Sequence, residues 1–346
     1  MPIICKYYLK LDDHRLQCTL CSHYCVLDSG EYGKCKVRMN SAGELISLNY
    51  AAVTGAAIDP IEKKPLHNYL PGANVFSFGC YGCNFRCLNC QNYGISGAEI
   101  FDIKRIIADN SNIIPPEIIV QNAVNHHCEG IAYTYSEPTV FWEYCEDIIK
   151  IAKLNVPEMK HILVTNGFFS RELLKDIIEN RYIDAMNIDL KFMNEHYTDI
   201  CGASAKPVLN NIREIAKNSS IHLEITNLVI PNLNDDDSDF RKLCEFIYEL
   251  SPMIPLHFSK FFPTYKLNKT QSTDENVLLR AKEIAEEIGL KYVYIGNTNL
   301  QDVSDTKCPN CSQIIIKRNH YSTEIVGTRK GDEIECQNCK KKIRIK

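Results

Sequence analysis

The sequence predicts an α/β fold, a parallel barrel or open sheet covered by helices, with a cysteine-bearing module at each end. Three observations lead there. Short apolar runs alternate with amphipathic stretches through the middle of the chain. Most of the 17 cysteines fall into three CxxC-like groups rather than the scattered spacing of a disulfide framework. Those groups stand before, at the start of and after the alternating region, which divides the chain into 1–70, 71–300 and 301–346.

Within the middle segment the apolar runs Val75–Gly79, Gly130–Tyr135, His161–Thr165, Ala185–Lys191, Ile221–Ile230, Pro255–Phe261 and Lys291–Gly296 read as strands. Between them, Thr139–Leu154, Arg171–Asn180, Val208–Lys217, Ser238–Leu250 and Asp274–Ile288 carry apolar residues at three- and four-residue spacing and read as helices. Strands joined through helices run parallel with right-handed crossovers, so functional groups gather at the strands' carboxyl ends. The run Asp235–Asp237 reads as a helix start, where carboxylates satisfy free N–H groups and favour the dipole, and not as a metal site.

Composition narrows the function classes. Basic residues number 39 and acidic ones 43, giving a net charge of −4, so no global basic field exists to grip a phosphate backbone. No stretch reaches the ~18 consecutive apolar residues of a membrane span, and MPIICKYYLKLDDHRLQC lacks the pattern of a secretory signal. The expectation is a cytoplasmic protein with no membrane partner, in which cysteine ligates metal.

The central group is Cys83, Cys87 and Cys90, at x3 and x2 spacing directly after the first strand of the repeat. Three thiolates are one too few for a closed cubane, and an open iron binds a small molecule and passes an electron to it. Cys80 offers a fourth thiol and a competing closed site. The C-terminal Cys308, Cys311, Cys336 and Cys339 are paired CxxC knuckles flanking the strand-like Ile314–Lys317 and Glu324–Val326, the pattern of a zinc ribbon. The amino-terminal Cys18, Cys21, Cys25 and Cys35 read first as a structural zinc site and second as an auxiliary iron–sulfur cluster feeding electrons to the central one. Cys5, Cys128, Cys145, Cys201 and Cys244 read as small buried hydrophobes.

The run GCYGCNFRCLNCQN resembles the cluster loop of radical S-adenosylmethionine (SAM) enzymes. Further motifs follow in order: Asp59–Leu66 (DPIEKKPL), Leu70-Pro-Gly72, Gly130–Pro138 (GIAYTYSEP), Thr165-Asn-Gly167, Asp189-Leu-Lys191 and His257–Pro263 (HFSKFFP). Together they resemble the radical SAM member of the AmmeMemoRadiSam system, a relative of pyruvate formate-lyase activating enzymes. That resemblance implies a partial (β/α) TIM-type barrel in which Cys83, Cys87 and Cys90 hold a [4Fe–4S] cluster and SAM chelates the fourth iron. It implies cofactor contacts from Glu137, Ser136, Asn166, Gly167 and Tyr133, and reacting-centre roles for Asp189, Lys191 and His257. His257 reads equally as a hydrogen-bonded core histidine. Phe85, Tyr133, Tyr135, Phe258 and Phe261 are expected to dry the cavity.

The resemblance also implies a one-electron donor such as flavodoxin or ferredoxin and a Memo-type partner protein. Activation of a glycyl radical enzyme is the second reading. Val164 and Thr226 depart from it, because they stand where the activating enzymes carry an Asp and an Arg. A third reading, of another class, is a zinc-stabilised module binding protein or nucleic acid through the basic tail Lys340–Lys346.

Overall fold

Seven parallel strands succeed one another in chain order, and an eighth, antiparallel, precedes them. The computed structural model describes residues 2–12, 14–97 and 112–346. The central sheet comprises Val53–Pro60 (β1), Asn74–Cys80 (β2), Gly130–Tyr133 (β3), Lys160–Thr165 (β4), Ala185–Asp189 (β5), His222–Val229 (β6), Leu256–Lys260 (β7) and Val293–Gly296 (β8). Each strand pairs with its neighbours in sequence, which leaves β1 and β8 at the two edges. β1 runs antiparallel to β2, and the later pairs are parallel. All seven apolar runs therefore become β2 to β8. The sheet begins earlier than expected, because β1 lies inside the 1–70 segment.

Among the described residues the α-helices longer than four residues are Pro116–Asn125 (α1), Trp142–Asn155 (α2), Arg171–Glu179 (α3), His196–Cys201 (α4), Ala205–Asn218 (α5), Asp237–Leu250 (α6) and Glu275–Ile288 (α7). Their starts follow from the local sequence. Ser170 accepts the Leu173 amide at 3.0 Å, Asp236 accepts that of Asp239 at 2.8 Å, and Asp274 accepts that of Asn276 at 2.8 Å, each satisfying a free donor of the first turn. The acidic run before α6 is thus a cap, as its position suggested. Among the described residues no helix is long and apolar enough to cross a membrane.

Alternation along the strands sorts side chains between two faces. Phe78, Tyr133, Leu163, Ile188, Ile225 and Phe258 join the main core with the helices. Val75, Ala132, Ile162 and Ala185 face the other way, where Ile61, Leu66, Tyr69 and Ala73 cover them. The link between β1 and β2 thus crosses the inner face of the sheet. It is tied there by backbone as well as by side chains: Asn187 on β5 donates to the Pro65 carbonyl at 2.7 Å, and Glu224 on β6 accepts the amides of His67 and Asn68 at 3.0 and 2.7 Å. Tyr294 on β8 donates to Asn68 Oδ1 at 2.7 Å.

Both terminal modules are small sheets packed on this scaffold. The amino-terminal strands form two three-stranded sheets, anchored by the fully buried Arg38, whose guanidinium pairs with Glu143 of α2. The carboxy-terminal residues form two further three-stranded sheets, whose core joins Tyr294 of β8 and Tyr292 just before it to Ile315, Ile316, Ile334 and Ile343.

Candidate active site

A cavity of about 850 Å³ opens at the carboxyl ends of the parallel strands, within the range of small-molecule sites. Cys83, Cys87 and Cys90 line it, on the loop that leaves β2. The loop is held from three sides. Arg86 and Leu88 donate backbone hydrogen bonds to Cys201 and Ile200 at the end of α4, both at 2.9 Å, while Lys266 donates to the Leu88 carbonyl at 3.0 Å. Gly82, at φ +102°, lets the chain turn into the loop; a Cβ there would meet Val37 at 2.8 Å. Cys90 Sγ lies 3.0 Å from Ser96 Oγ, and Cys83 Sγ accepts the Phe85 amide at 3.3 Å. Cys80 is fully buried on the helix side beside Tyr144 and Cys145 and does not line the cavity. Cys201, read as an inert hydrophobe, interacts with Cys87 from behind the loop.

Glu137 joins the ends of β3 and β4. Its Oε1 accepts the Thr139 amide at 3.1 Å, the Thr139 hydroxyl at 2.6 Å and the Thr165 hydroxyl at 2.7 Å, and its Oε2 accepts the Asn166 amide at 2.8 Å. Burial raises its carboxyl above the ordinary glutamate range, and those four donors oppose the shift. With its lone pairs so engaged, Glu137 lines the cavity as an organiser of the Thr165-Asn166 turn more than as a free carboxylate. Asn166 extends the chain of contacts, donating to Asn84 Oδ1 at 2.7 Å, with the same amide 4.0 Å from Cys83 Sγ. Ser136 lines the cavity and donates to the Cys80 carbonyl.

Two of the residues expected to touch the cofactor are placed elsewhere. Tyr133 is fully buried on the helix face, its hydroxyl 3.0 Å from His161 Nδ1 and its ring edge-on to Phe78; the strand's alternation and its end turn Thr134 and Tyr135 to the cavity instead. Gly167 serves the turn, at φ +69° with Ile188 2.8 Å from where a Cβ would stand, and does not line the cavity. Phe258 likewise packs against Phe240 of α6, at 5.6 Å, and Phe261 is buried, whereas Phe85 and Phe262 line the cavity.

Asp189 and Lys191 both line the cavity and pair with each other, the ammonium donating to Asp189 Oδ2 at 2.9 Å. Burial works against the Lys191 charge, but Asp189 and then Cys87 hold its pKa well above the ordinary lysine value. His257 lines the cavity, and its ring is hydrogen bonded, Nε2 to Glu224 Oε2 at 2.6 Å. Glu224 is fully buried and also meets His222 Nε2 at 2.8 Å. Burial alone would raise its carboxyl, but the hydrogen bonds from His222 and His257 prevail and depress it far below the usual range.

Several residues at or beside the wall had no role assigned from the sequence, some of them within motifs singled out there. Asp59 accepts Lys63, Lys64 and Tyr135 at 2.8, 2.7 and 2.7 Å, fixing the lip of the cavity. Arg318, His320 and Tyr321 reach the wall from the carboxy-terminal hairpin. Val164 and Thr226, singled out as departures, both line the cavity, and the Thr226 hydroxyl has no hydrogen-bond partner among the described residues.

Comparison with known proteins matches this arrangement to a family. The profile described as the radical SAM superfamily matches residues 79–247, from the end of β2 through most of α6. The chain belongs to the radical SAM superfamily. It is 40% identical over 335 residues to an uncharacterized protein of Methanocaldococcus jannaschii, covering 96% of each chain. It is 23% identical to the pyruvate formate-lyase 1-activating enzyme of Escherichia coli, over 65% of this chain and 93% of that one. A solved domain of pyruvate-formate lyase-activating enzyme from Bacteroides vulgatus aligns at TM-score 0.40 and 24% identity, over 49% of this chain and 99% of that one.

This radical SAM protein is an enzyme, and its cavity suits the superfamily's [4Fe–4S] cluster and SAM. Among the described residues, the cysteines lining the cavity are Cys83, Cys87 and Cys90, one thiol fewer than closes a cubane. The carboxy-terminal site has a different geometry: the sulfurs of Cys308, Cys311, Cys336 and Cys339 all lie within 4.8 Å of one another, close to the spacing of four thiolates around a single ion. Cys339 is held down to about 6 by the Asn310 side chain and the Lys341 amide, which favours the ligating thiolate.

Proposed function

We propose that the protein reductively cleaves SAM at a cluster held by Cys83, Cys87 and Cys90 and directs the resulting radical at a substrate in the partial barrel's mouth. The observation that carries this reading is the three-thiol wall, with Asn166, Glu137, Asp189 and Lys191 gathered on neighbouring strand ends around it. When bound, the cluster supplies one electron to the sulfonium, giving methionine and a 5′-deoxyadenosyl radical.

The chain's own groups hold and shield that chemistry. The Lys191 ammonium stands in the field of Cys87 and offsets thiolate charge. The engaged carboxylate of Glu137 fixes the Asn166 turn against the cysteine loop. Asp59, Lys64 and Tyr135 form a rigid lip, and Phe85 and Phe262 exclude water from the wall. His257, oriented by Glu224, is the group placed to hold or move a proton on a bound substrate. Zinc at Cys308, Cys311, Cys336 and Cys339 completes a ribbon-like module whose hairpin brings Arg318, His320 and Tyr321 to the cavity.

Anaerobic, reduced protein mixed with SAM is expected to release 5′-deoxyadenosine and methionine in equal amounts by chromatography; release of neither would refute the reading. The motif order supports a Memo-type partner protein and a flavodoxin- or ferredoxin-class donor. Similarity to an activating enzyme favours a second reading, in which the radical is passed to a glycyl radical enzyme. A persistent glycyl signal in electron paramagnetic resonance (EPR) with such a partner would identify it.

A further inference from the structure

The amino-terminal cysteines sit directly behind the catalytic loop. His23, between Cys21 and Cys25, donates from Nε2 to the Asn84 carbonyl at 2.8 Å, and Asn84 follows Cys83. The His23 ring packs on Phe168 at 4.7 Å, and Phe168 packs on Phe85 at 5.2 Å. On the other arm, the Cys35 carbonyl and the Val37 side chain close on Gly82. Both arms of the group thus touch the short segment that presents Cys83.

The four thiols face a common space. Gly33 lies between two of them, the position of its absent Cβ being 3.7 Å from Cys35 Sγ and 3.9 Å from Cys25 Sγ. Cys21 interacts electrostatically with Cys18, Cys35 and Cys25. They do not draw together as a mononuclear site does: among the described residues, the group whose ligand atoms all lie within 4.8 Å is the carboxy-terminal one. The wider spacing is shared with Cys83, Cys87 and Cys90, where each sulfur is read as binding an iron of its own. The buried Arg38 guanidinium acts on Cys18 and Cys5 as a fixed positive charge beside the group, suited to an anionic thiolate cluster.

We propose that Cys18, Cys21, Cys25 and Cys35 hold a second [4Fe–4S] cluster that relays single electrons to the cluster at Cys83, Cys87 and Cys90. This rests on the reading of the catalytic site given above. An acidic one-electron carrier is oxidised by one electron at the amino-terminal face, where Lys34 and Arg86 flank His23. The second cluster is reduced by that electron and reoxidised on passing it inward, and no bond or proton moves in the relay. The electron is consumed at the catalytic cluster when the SAM C–S bond breaks.

Mössbauer spectroscopy of iron-57-labelled wild-type protein tests this without a variant. Two cluster populations of equal area are expected, of which SAM perturbs one, with about eight irons per chain and a zinc at the carboxy-terminal site. A single population that responds to SAM, with zinc at both terminal sites, would overturn the relay and leave the catalytic reading standing. Two populations both indifferent to SAM would instead overturn the catalytic reading. The double variant Cys25→Ala/Cys35→Ala is expected to keep about four irons and the SAM-responsive EPR signal. Its SAM cleavage driven by reduced flavodoxin falls at least tenfold, while cleavage driven by dithionite persists. Retention of wild-type iron content and donor-driven rate in that variant would refute the assignment.

Discussion

Replacing Cys87 by Ala is expected to abolish 5′-deoxyadenosine formation, a loss of at least a thousandfold, while the far-ultraviolet circular dichroism stays that of the wild type. The two halves of this result have separate causes. Among the described residues Cys87 is one of three cysteines on the cavity wall, so without it the proposed cubane loses a ligand that no other cysteine of the described wall replaces. The loop carrying it is fixed by other means: Arg86 and Leu88 bond through their backbones to the end of α4, and the Asn84 side chain is held by Asn166. Iron analysis and product chromatography on the same preparation check both halves. Undiminished turnover would remove Cys87 from the ligand set.

Replacing Glu224 by Ala is expected to give the largest loss of stability of any single substitution in the sheet, about 3–5 kcal/mol. The carboxylate gathers four donors: the rings of His222 and His257 and the amides of His67 and Asn68. Truncation deprives all four donors of this acceptor beneath the cavity, and it frees the link that crosses the inner face of the sheet. Denaturant unfolding measures the loss. The dependence on pH has a definite sign. Because the hydrogen bonds from His222 and His257 outweigh burial and depress the folded carboxyl far below the ordinary glutamate value of 4.5, its contribution is fully present above that value and disappears as pH falls toward the depressed one. The wild type should therefore lose stability on acidification through this window, and the alanine variant should show a flatter profile there. Equal stability of the two proteins at neutral pH would show that Glu224 is not the hub of this network.

The parts of the fold that were legible were those decided locally. Seven strands and five helices announced themselves because each carries its own period of apolar residues, and the run Asp235–Asp237 announced its helix because a cap needs only its own first turn. β1 was overlooked because VTGAAIDP lacks a bulky alternating pattern; its pairing with β2 defines it. α1 was passed over although Pro116 begins an apolar spacing of three and four residues. Period-two alternation cannot by itself say which set of residues faces inward, so Tyr133 was assigned to the cofactor while Thr134 and Tyr135 line the cavity.

The cysteine groups were legible because ligand spacing is local. The networks around them were not: Glu224 meets His257 across 33 residues, Arg38 meets Glu143 across 105, and His23 meets Asn84 across 61. Only the fold brings such partners together. The same holds for the carboxy-terminal module, whose Arg318 donates to the His67 carbonyl at 2.6 Å and so ties the four-cysteine appendage to the wall of the cavity.

Electron–nuclear double resonance on the reduced protein, with SAM labelled by nitrogen-15 at the amino group and oxygen-17 at the carboxylate, tests the three-thiolate site most directly. Hyperfine coupling of both labels to the cluster spin is the predicted result, arising from an iron that the chain leaves unligated. Absence of both couplings, with the fourth iron held by a side chain such as Cys201, would contradict it.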